Sequence, residues 1–152
     1  MSVASTRHAK SAKESSPVRP DALTSLRASA SAAMDRAYAP YSGFRVGAAL
    51  LTADGTIVTG CNVENSSFPA GGCAERGALF AAVVAGHRNF SHLTIVTQAD
   101  DPTPPCGMCR QALMEFSPAL AITSVTTTGA EAHWTLAELL PSPFTPRSLR
   151  QQ

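Results

Sequence analysis

The chain has 152 residues, 44% of them hydrophobic, and a formal net charge of +1. This length suits one compact domain with a sizeable core. The charge is divided unevenly, because residues 1–20 carry a net charge of +3 and the other 132 residues a net charge of −2, with no lysine after Lys13. Proteins that bind polymeric nucleic acid normally present a clustered basic face, so we expect no such partner. No run approaches the roughly 20 apolar residues of a membrane span, so we expect no membrane contact either.

The two ends of the chain differ in composition from its centre. Residues 1–20 are rich in serine, alanine and basic residues and have no apolar periodicity, a composition typical of disorder. We predict a disordered tail over residues 1–20, a single domain over residues 21–146 and a C-terminal tail over residues 147–152. The N-terminus has no apolar signal core. This predicts a cytoplasmic, reducing location, where cysteines at ligand spacing bind metal rather than form disulfides.

Helical and strand periodicities alternate along the chain and predict an α/β sandwich. The predicted elements are a helix from Asp21 to about Tyr38, strands at 46–52 and 56–60, a helix from near Cys73 to Gly86, a strand at 93–97, a helix at 107–116, strands at 119–127 and 133–134, and a last short helix between Thr135 and Pro141. Asp21 is the predicted N-cap of the first helix. The helix that begins near Cys73 is apolar on nearly every side, which predicts that it is buried.

Two short cysteine segments carry the chemistry of the chain. They are Cys73-Ala74-Glu75-Arg76 and Pro105-Cys106-Gly107-Met108-Cys109-Arg110. Three cysteines with a glutamate two residues after the first resemble the signature of zinc deaminases, in which thiolates hold the metal and a glutamate outside the ligand set moves protons. Both segments lie at predicted helix N-termini, where the helix dipole favours the thiolate form that zinc binds.

The number of ligands decides between a catalytic and a structural zinc site. Three cysteines leave one position open, whereas a structural site is closed by a fourth protein ligand. Cys61 is the candidate fourth ligand, but its place on an apolar strand favours a buried structural cysteine. Glu75 favours catalysis, because hydrolytic deamination needs a group that moves a proton from water to the ring nitrogen and the departing amine. The alternative for Glu75 is a carboxylate stabilised by the helix dipole.

Arg76 lies one turn from Cys73 on the same face of the predicted helix. Three thiolates on Zn²⁺ give a net charge of −1, which makes the metal a weaker acid than a site of neutral ligands. We hypothesise that Arg76 hydrogen-bonds the cysteine sulfurs and offsets this charge. A plain surface arginine is the alternative.

Two other functions stay open on these residues alone. Residues 106–109 have the C-x-x-C form of thiol-disulfide exchangers, but that function leaves Cys73 and Glu75 without a role. A closed structural zinc module used for binding is the second alternative. Bound zinc without deaminase activity on nucleosides would favour the structural module. Loss of iodoacetamide-reactive thiols on oxidation, without zinc, would favour the exchanger.

The sequence as a whole resembles the small, homotetrameric type of cytidine deaminase, over roughly residues 23–144. The matching stretches are YAPYSGFRVGAALL, GCNVENSS, CAERGALF, PCGMCRQALMEF and ELLPSPF. Their joint occurrence in this order is far more specific than a lone C-x-x-C. The resemblance implies a three-layer α/β/α sandwich with a five-stranded mixed sheet, and a homotetramer whose active sites are completed by neighbouring subunits.

The resemblance also implies roles for individual residues. It implies one zinc ion per subunit on Cys73, Cys106 and Cys109, with Glu75 as the proton shuttle. At the substrate it implies Phe44 against the pyrimidine ring, Asn62 and Glu64 on the ribose hydroxyl, the backbone of Ala74 at the base edge, and Phe144 contributed by a neighbouring subunit. The sequence departs from the family pattern at Phe68, where relatives commonly have tyrosine, and at Gly77, which lowers helix propensity by about 1 kcal/mol relative to alanine.

The predicted activity is hydrolysis of cytidine and 2′-deoxycytidine to uridine and 2′-deoxyuridine with release of ammonia, a step of pyrimidine salvage. A free nucleoside needs neither base flipping nor a basic groove, which agrees with a chain that has no lysine after residue 13. A deaminase of nucleoside antibiotics such as blasticidin S is the alternative within the same chemistry, because it shares the cysteine and glutamate motifs.

Overall fold

A computed structural model describes residues 18–149 of the chain. Its elements are α1 (Pro20–Met34), β1 (Val46–Thr52), β2 (Ile57–Cys61), a 3₁₀ turn (Phe68–Ala70), α2 (Ala74–Val84), β3 (Phe90–Thr97), α3 (Gly107–Met114), β4 (Ala121–Thr126), β5 (Glu131–Thr135), α4 (Leu136–Leu139) and α5 (Pro146–Leu149). Most of the predicted tail over residues 1–20, and residues 150–152, lie outside the described residues. No helix between residues 18 and 149 is long and apolar enough to cross a bilayer.

The five strands form one mixed sheet in the order β2-β1-β3-β4-β5. β3 and β4 are parallel, and every other pair of neighbours is antiparallel. α1 packs on one face of the sheet, against β1, β2 and β3, while α2, with α3 and α4 beside it, covers the other face. The predicted three-layer sandwich with a five-stranded mixed sheet is confirmed.

Two hydrophobic cores lie on the two faces of the sheet. β1 contributes to both, because successive side chains of a strand point to opposite faces. Ala48 and Leu50 pack in the larger core with α2 and α3, and Ala49 and Leu51 pack in the smaller core beneath α1. The larger core therefore holds the two helices whose N-termini carry the cysteine segments.

The first helix differs from its prediction at both ends. Arg19, not Asp21, is the N-cap, because Pro20 takes the first helical position, where a missing N–H costs nothing. The helix ends at Met34 and does not reach Tyr38. Tyr38 instead pairs with the segment after β2, to which its backbone makes hydrogen bonds of 3.0 and 2.8 Å.

The prediction that α2 is buried on nearly every side is wrong for its outer face. Ala78 and Ala82 face the sheet and are fully buried, whereas Phe80 and Val84 are 58% and 89% exposed. Because α2 is apolar on nearly every side, its sequence has no helical periodicity that could show which side packs on the sheet. The structure thus leaves an apolar helix face uncovered in the single chain.

Local signals at element ends are confirmed. Gly86 follows the end of α2 with a φ of 95°, a left-handed conformation that favours glycine. Thr135 and Glu138 form the predicted capping box at α4. The structure adds the short helix α5 across the boundary between residues 146 and 147, and the domain boundaries themselves stay predictions.

Candidate active site

Three cysteine side chains meet where the N-termini of α2 and α3 come together. Cys73 is the N-cap of α2, Cys106 is the N-cap of α3, and Cys109 lies in the first turn of α3. The Sγ atoms of Cys73 and Cys106 are 3.7 Å apart, and those of Cys106 and Cys109 are 3.5 Å apart. The predicted ligand set is therefore one cluster, with all three sulfurs within 4.8 Å of one another.

The spacing and charge of these sulfurs fit a zinc ion. Tetrahedral zinc with Zn–S distances of about 2.3 Å separates its sulfurs by about 3.8 Å. Hydrogen bonding with Cys109, and then with Cys106, lowers the pKa of Cys73 to about 5, while the hydrogen bond with Cys73, together with burial, raises the pKa of Cys109. Three thiolates this close repel one another, so full ionisation of the cluster needs a cation among them.

Cys61 lies apart from this cluster. Its Sγ donates to the backbone oxygen of Arg36, 3.6 Å away in the segment after α1. Between residues 18 and 149, the three-cysteine cluster is the sole group of three or more potential metal ligands. This agrees with a structural role for Cys61, although its side chain is half-buried rather than fully buried, and it leaves the cluster with three protein ligands.

Glu75 is a buried carboxyl group beside the cysteines. It lies in the first turn of α2, is 5% exposed, and lines the same cavity as Cys73. Burial first, and then the negative charge at Cys73, raise the pKa of Glu75. A raised pKa makes the carboxylate a stronger base, which suits a group that accepts a proton and then gives it up as a general acid and base.

The Arg76 guanidinium lies next to the cluster. It donates to the backbone oxygen of Gly71 over 3.4 Å, and its Nε is buried without a hydrogen-bond partner. Its positive charge helps to lower the pKa of Cys73, after the contributions of Cys109 and Cys106. The hypothesis that Arg76 hydrogen-bonds the cysteine sulfurs stays a prediction.

Cys73, Cys106 and Glu75 open into a cavity of about 790 Å³. Small-molecule sites are commonly mostly apolar cavities of this size with a few polar groups that fix orientation. The other residues of its wall that the sequence singled out are Phe44, Asn62, Glu64, Phe68, Ala74 and Arg76. The cavity has room for a molecule of nucleoside size.

The family model described as "Cytidine and deoxycytidylate deaminase zinc-binding region" matches residues 21–125. The chain belongs to this family. A protein named cytidine deaminase from Sporosarcina psychrophila is 44% identical over 82% of this chain and 92% of its own length. Another of that name from Halalkalibacterium halodurans is 44% identical over 74% of this chain and 86% of its own length.

Solved structures of family members share the fold. The crystal structure of cytidine deaminase from Burkholderia pseudomallei has a TM-score of 0.77 and 44% identity, over 80% of this chain and 98% of that one. The crystal structure of cytidine deaminase from Mycobacterium tuberculosis has a TM-score of 0.71 and 39% identity, over 81% of this chain and 97% of that one. The resemblance predicted from the sequence is confirmed.

The substrate residues implied by the family resemblance fall into two groups. Phe44, Asn62, Glu64 and Ala74 line the cavity. Phe144 lies outside the cavity wall and is 57% exposed. Its backbone is held by two hydrogen bonds to the Gln111 side chain, of 2.8 and 3.1 Å. An exposed aromatic side chain on a held backbone, outside its own cavity, is available to contact a neighbouring subunit, and that role stays a prediction.

Some residues of the cavity wall had not been singled out from the sequence. Ile95 and Thr97 enter it from β3, while Thr103 and Pro104 come from the loop that precedes α3. Ser42 also lines the cavity, and its hydroxyl contacts the Glu64 carboxylate. Ser42 stands within the stretch YAPYSGFRVGAALL, so the family pattern was the one signal that could have pointed to it.

Proposed function

We propose that this protein is a zinc-dependent enzyme that deaminates cytidine and 2′-deoxycytidine to uridine and 2′-deoxyuridine with release of ammonia. The observation that carries this proposal is a buried carboxyl group beside a three-sulfur cluster in one nucleoside-sized cavity. Membership of the cytidine and deoxycytidylate deaminase family supports it. So do the relatives that are named cytidine deaminase.

Cys73, Cys106 and Cys109 would hold one zinc ion per subunit. When bound, zinc supplies a Lewis acid that lowers the pKa of water, so that water can act as a nucleophile near neutral pH. The three sulfurs leave room for one further ligand in a tetrahedral set. Because Cys61 points away from the cluster, a closed four-cysteine structural site is disfavoured. A C-x-x-C thiol-disulfide exchanger uses only two cysteines, so the third sulfur, on Cys73, disfavours that function.

Glu75 would carry the protons of the reaction. Its carboxylate takes a proton from water as the oxygen adds to the carbon that bears the amino group, and delivers it to the adjacent ring nitrogen. Glu75 then takes the second proton from the added hydroxyl and passes it to the amino group. The carbon–nitrogen bond breaks as that oxygen forms the carbonyl, and ammonia leaves. The raised pKa of Glu75 suits both the uptake and the release of a proton.

The other end of the cavity would bind the nucleoside. Phe44 would lie against the pyrimidine ring and the Ala74 backbone would read the base edge, while Asn62 and Glu64 would hold a ribose hydroxyl. All four residues line the cavity. The side chains of Asn62 and Glu64 both hydrogen-bond residues 41–46, as an i, i+2 pair on one side of an extended segment can.

We further propose that the protein is a homotetramer with active sites shared between subunits. Large apolar side chains are exposed in the single chain at the cavity wall (Phe68 and Met108), on α2 (Phe80 and Val84) and after α4 (Phe144). Exposed apolar groups in such numbers mark interaction surfaces. A cytoplasmic location completes the proposal, since free cysteines in a metal-ligand pattern suit a reducing compartment.

An ammonia-release assay on protein of measured zinc content tests the activity. The substrates are cytidine, 2′-deoxycytidine, deoxycytidylate, cytosine, adenosine and blasticidin S. We expect turnover of cytidine and 2′-deoxycytidine. Turnover of blasticidin S alone would replace the substrate class within the same chemistry, and turnover of adenosine alone would overturn the substrate. Bound zinc without any turnover would favour a structural module.

Mixed oligomers test the sharing of active sites. Glu75→Gln and Phe144→Ala chains are co-expressed, so that each chain carries one of the two substitutions. An intact Glu75 and an intact Phe144 can then meet only in a site built from two subunits. Activity above that of either variant alone is expected. Activity equal to that of the Phe144→Ala protein, or a monomer in light scattering, would contradict the shared site.

A further inference from the structure

The segment that leads into β1, here called the 41–46 loop, is tied to the segment after β2 by side-chain hydrogen bonds. The Glu64 carboxylate accepts from the backbone N–H of Tyr41 over 2.9 Å and from that of Ser42 over 3.2 Å, both at Oε2. Its Oε1 accepts from the Ser42 hydroxyl. The carboxylate proposed to hold a sugar hydroxyl is therefore itself held by three donors of the protein.

The direction of the Ser42 hydrogen bond follows from its neighbours. A serine hydroxyl has one hydrogen to donate and lone pairs to accept with. The backbone N–H of Phe44 already donates to the Ser42 oxygen over 3.0 Å. The hydroxyl hydrogen is then free to point at Glu64, and an ionised carboxylate offers only acceptors. In accord with this, the Ser42 hydroxyl, and then the Tyr41 N–H, lower the pKa of Glu64.

The remaining capacity of Glu64 is small. An ionised carboxylate has about four acceptor positions, of which the protein fills two on Oε2 and one on Oε1. One position remains, on the oxygen that Ser42 orients. Bonds to charged groups are the stronger class of hydrogen bond and depend on orientation, so the direction of this last acceptor site depends on the Ser42 hydroxyl.

Asn62 holds the far end of the same loop independently of Ser42. Its Oδ1 accepts from the backbone N–H of Val46 over 2.8 Å, and its Nδ2 donates to the backbone oxygen of Phe44 over 2.7 Å. The backbone that carries Phe44 is thus held even without the Ser42 hydroxyl. Loss of that hydroxyl should disturb the carboxylate and leave the aromatic contact with the base in place.

We propose that Ser42 is a positioning residue that aims the last free acceptor of Glu64 at a sugar hydroxyl of the substrate. The proposal rests on the proposed deamination of nucleosides. Ser42 acts through Glu64 and need not touch the substrate. Its effect should therefore depend on whether the substrate carries the hydroxyl that Glu64 accepts from.

The test compares substrates with and without that hydroxyl. Zinc-loaded wild type, Ser42→Ala and Ser42→Thr proteins are assayed with 2′-deoxycytidine and with 2′,3′-dideoxycytidine, which has no hydroxyl on its ring carbons. In wild type we expect kcat/KM to be higher for 2′-deoxycytidine. Ser42→Ala should lower that ratio by about 10-fold, mainly by raising KM for 2′-deoxycytidine. A 10-fold change is the size expected for the loss of one hydrogen bond to a charged group. Ser42→Thr keeps the hydroxyl and should restore the ratio.

A second set of variants tests whether the effect passes through Glu64. On a Glu64→Gln background, adding Ser42→Ala should change the ratio by less than about 2-fold, because coupled residues lose their effect when the partner is gone. Ser42 is exposed, so water can satisfy the Phe44 N–H in Ser42→Ala. Should that variant still fail to fold, Ser42→Gly, beside the existing Gly43, takes its place with the same expected ratio.

The outcomes separate this proposal from the proposed function. An equal loss of kcat/KM on both substrates would mean that Ser42 only supports the fold, and an unchanged kcat/KM on both would mean that it does not orient Glu64. Either result overturns the role of Ser42 and leaves the deaminase intact. A wild-type protein that turns over neither cytidine nor 2′-deoxycytidine would overturn the proposed function, and this proposal with it.

Discussion

Gly60 lies where β2 packs tightly against α2, and Gly60→Ala is expected to force the two apart. A Cβ at this position would lie 2.3 Å from the backbone nitrogen of Ala78 and 2.4 Å from the backbone oxygen of Ala74. Non-bonded heavy atoms are ordinarily about 3.5–4.0 Å apart, so the elements must separate by about 1 Å. Both obstacles are backbone atoms, which no rotamer change can move aside. Overpacking of this kind costs about 1–3 kcal/mol, or roughly 2–12 °C in Tm for a chain of this length.

The same displacement should impair the active site. Ala74 stands between Cys73 and Glu75 in the chain, so a shift of the first turn of α2 moves both the metal ligand and the proton shuttle. A misplacement of about 1 Å can cost about 100-fold in rate. Thermal unfolding, zinc content and ammonia release measured on one preparation would show all three effects.

Gly77 provides a matched control at the same interface. It lies on α2 opposite β2, but a Cβ there would have its nearest neighbours at 3.5 and 3.6 Å, which is ordinary contact. Gly77→Ala should raise stability by about 1 kcal/mol through helix propensity, or about 2–4 °C in Tm, with turnover retained. Equal damage from both substitutions, or an unchanged Tm and turnover for Gly60→Ala, would refute this reasoning.

Three further predictions concern the protons and charges of the molecule. Glu75→Gln should retain zinc and lose about 10²- to 10⁴-fold in kcat, and ammonia-release kinetics that show near wild-type turnover would contradict a shuttle. Arg76→Gln should weaken zinc retention or turnover by about 10- to 100-fold, as measured by zinc release to a chelator, and unchanged values would show that Arg76 does not support the sulfurs. Burial, followed by the charges of His133 and Arg27, lowers the pKa of His92 from 6.5 to about 4. Between these pH values the unfolded chain binds a proton at His92 that the folded chain does not bind. Stability should therefore rise by up to about 3 kcal/mol as pH increases from 4 to 6.5. His92→Asn should flatten this slope in denaturant titrations, and an equal slope in both proteins would exclude His92 as its source.

Much of the active site could be predicted from the sequence, because its reactive residues lie close to one another in the chain. Cys73 and Glu75 are two residues apart at a helix start, and Cys106 and Cys109 share the first turn of another helix, so spacing alone brings each pair together. The stretch of alternating elements likewise indicated an α/β sandwich. Caps and turns, such as Thr135 with Glu138, were readable for the same reason, since their partners are three residues apart.

Other features came from contacts between distant parts of the chain, which local spacing does not encode. Periodicity did not show that α1 stops at Met34, because the competing partner of Tyr38 lies some 25 residues later, after β2. The apolar composition of α2 concealed that Phe80 faces outward, since only packing on the sheet distinguishes its sides. The hydrogen bond between Ser42 and Glu64 joins residues that are 22 apart in the chain. It forms because β1 and β2 pair antiparallel. That strand pairing is a long-range contact, and it sets the geometry of the end of the cavity where the sugar is proposed to bind. The local sequence around the cysteines, by contrast, was enough to indicate the chemistry of the active site.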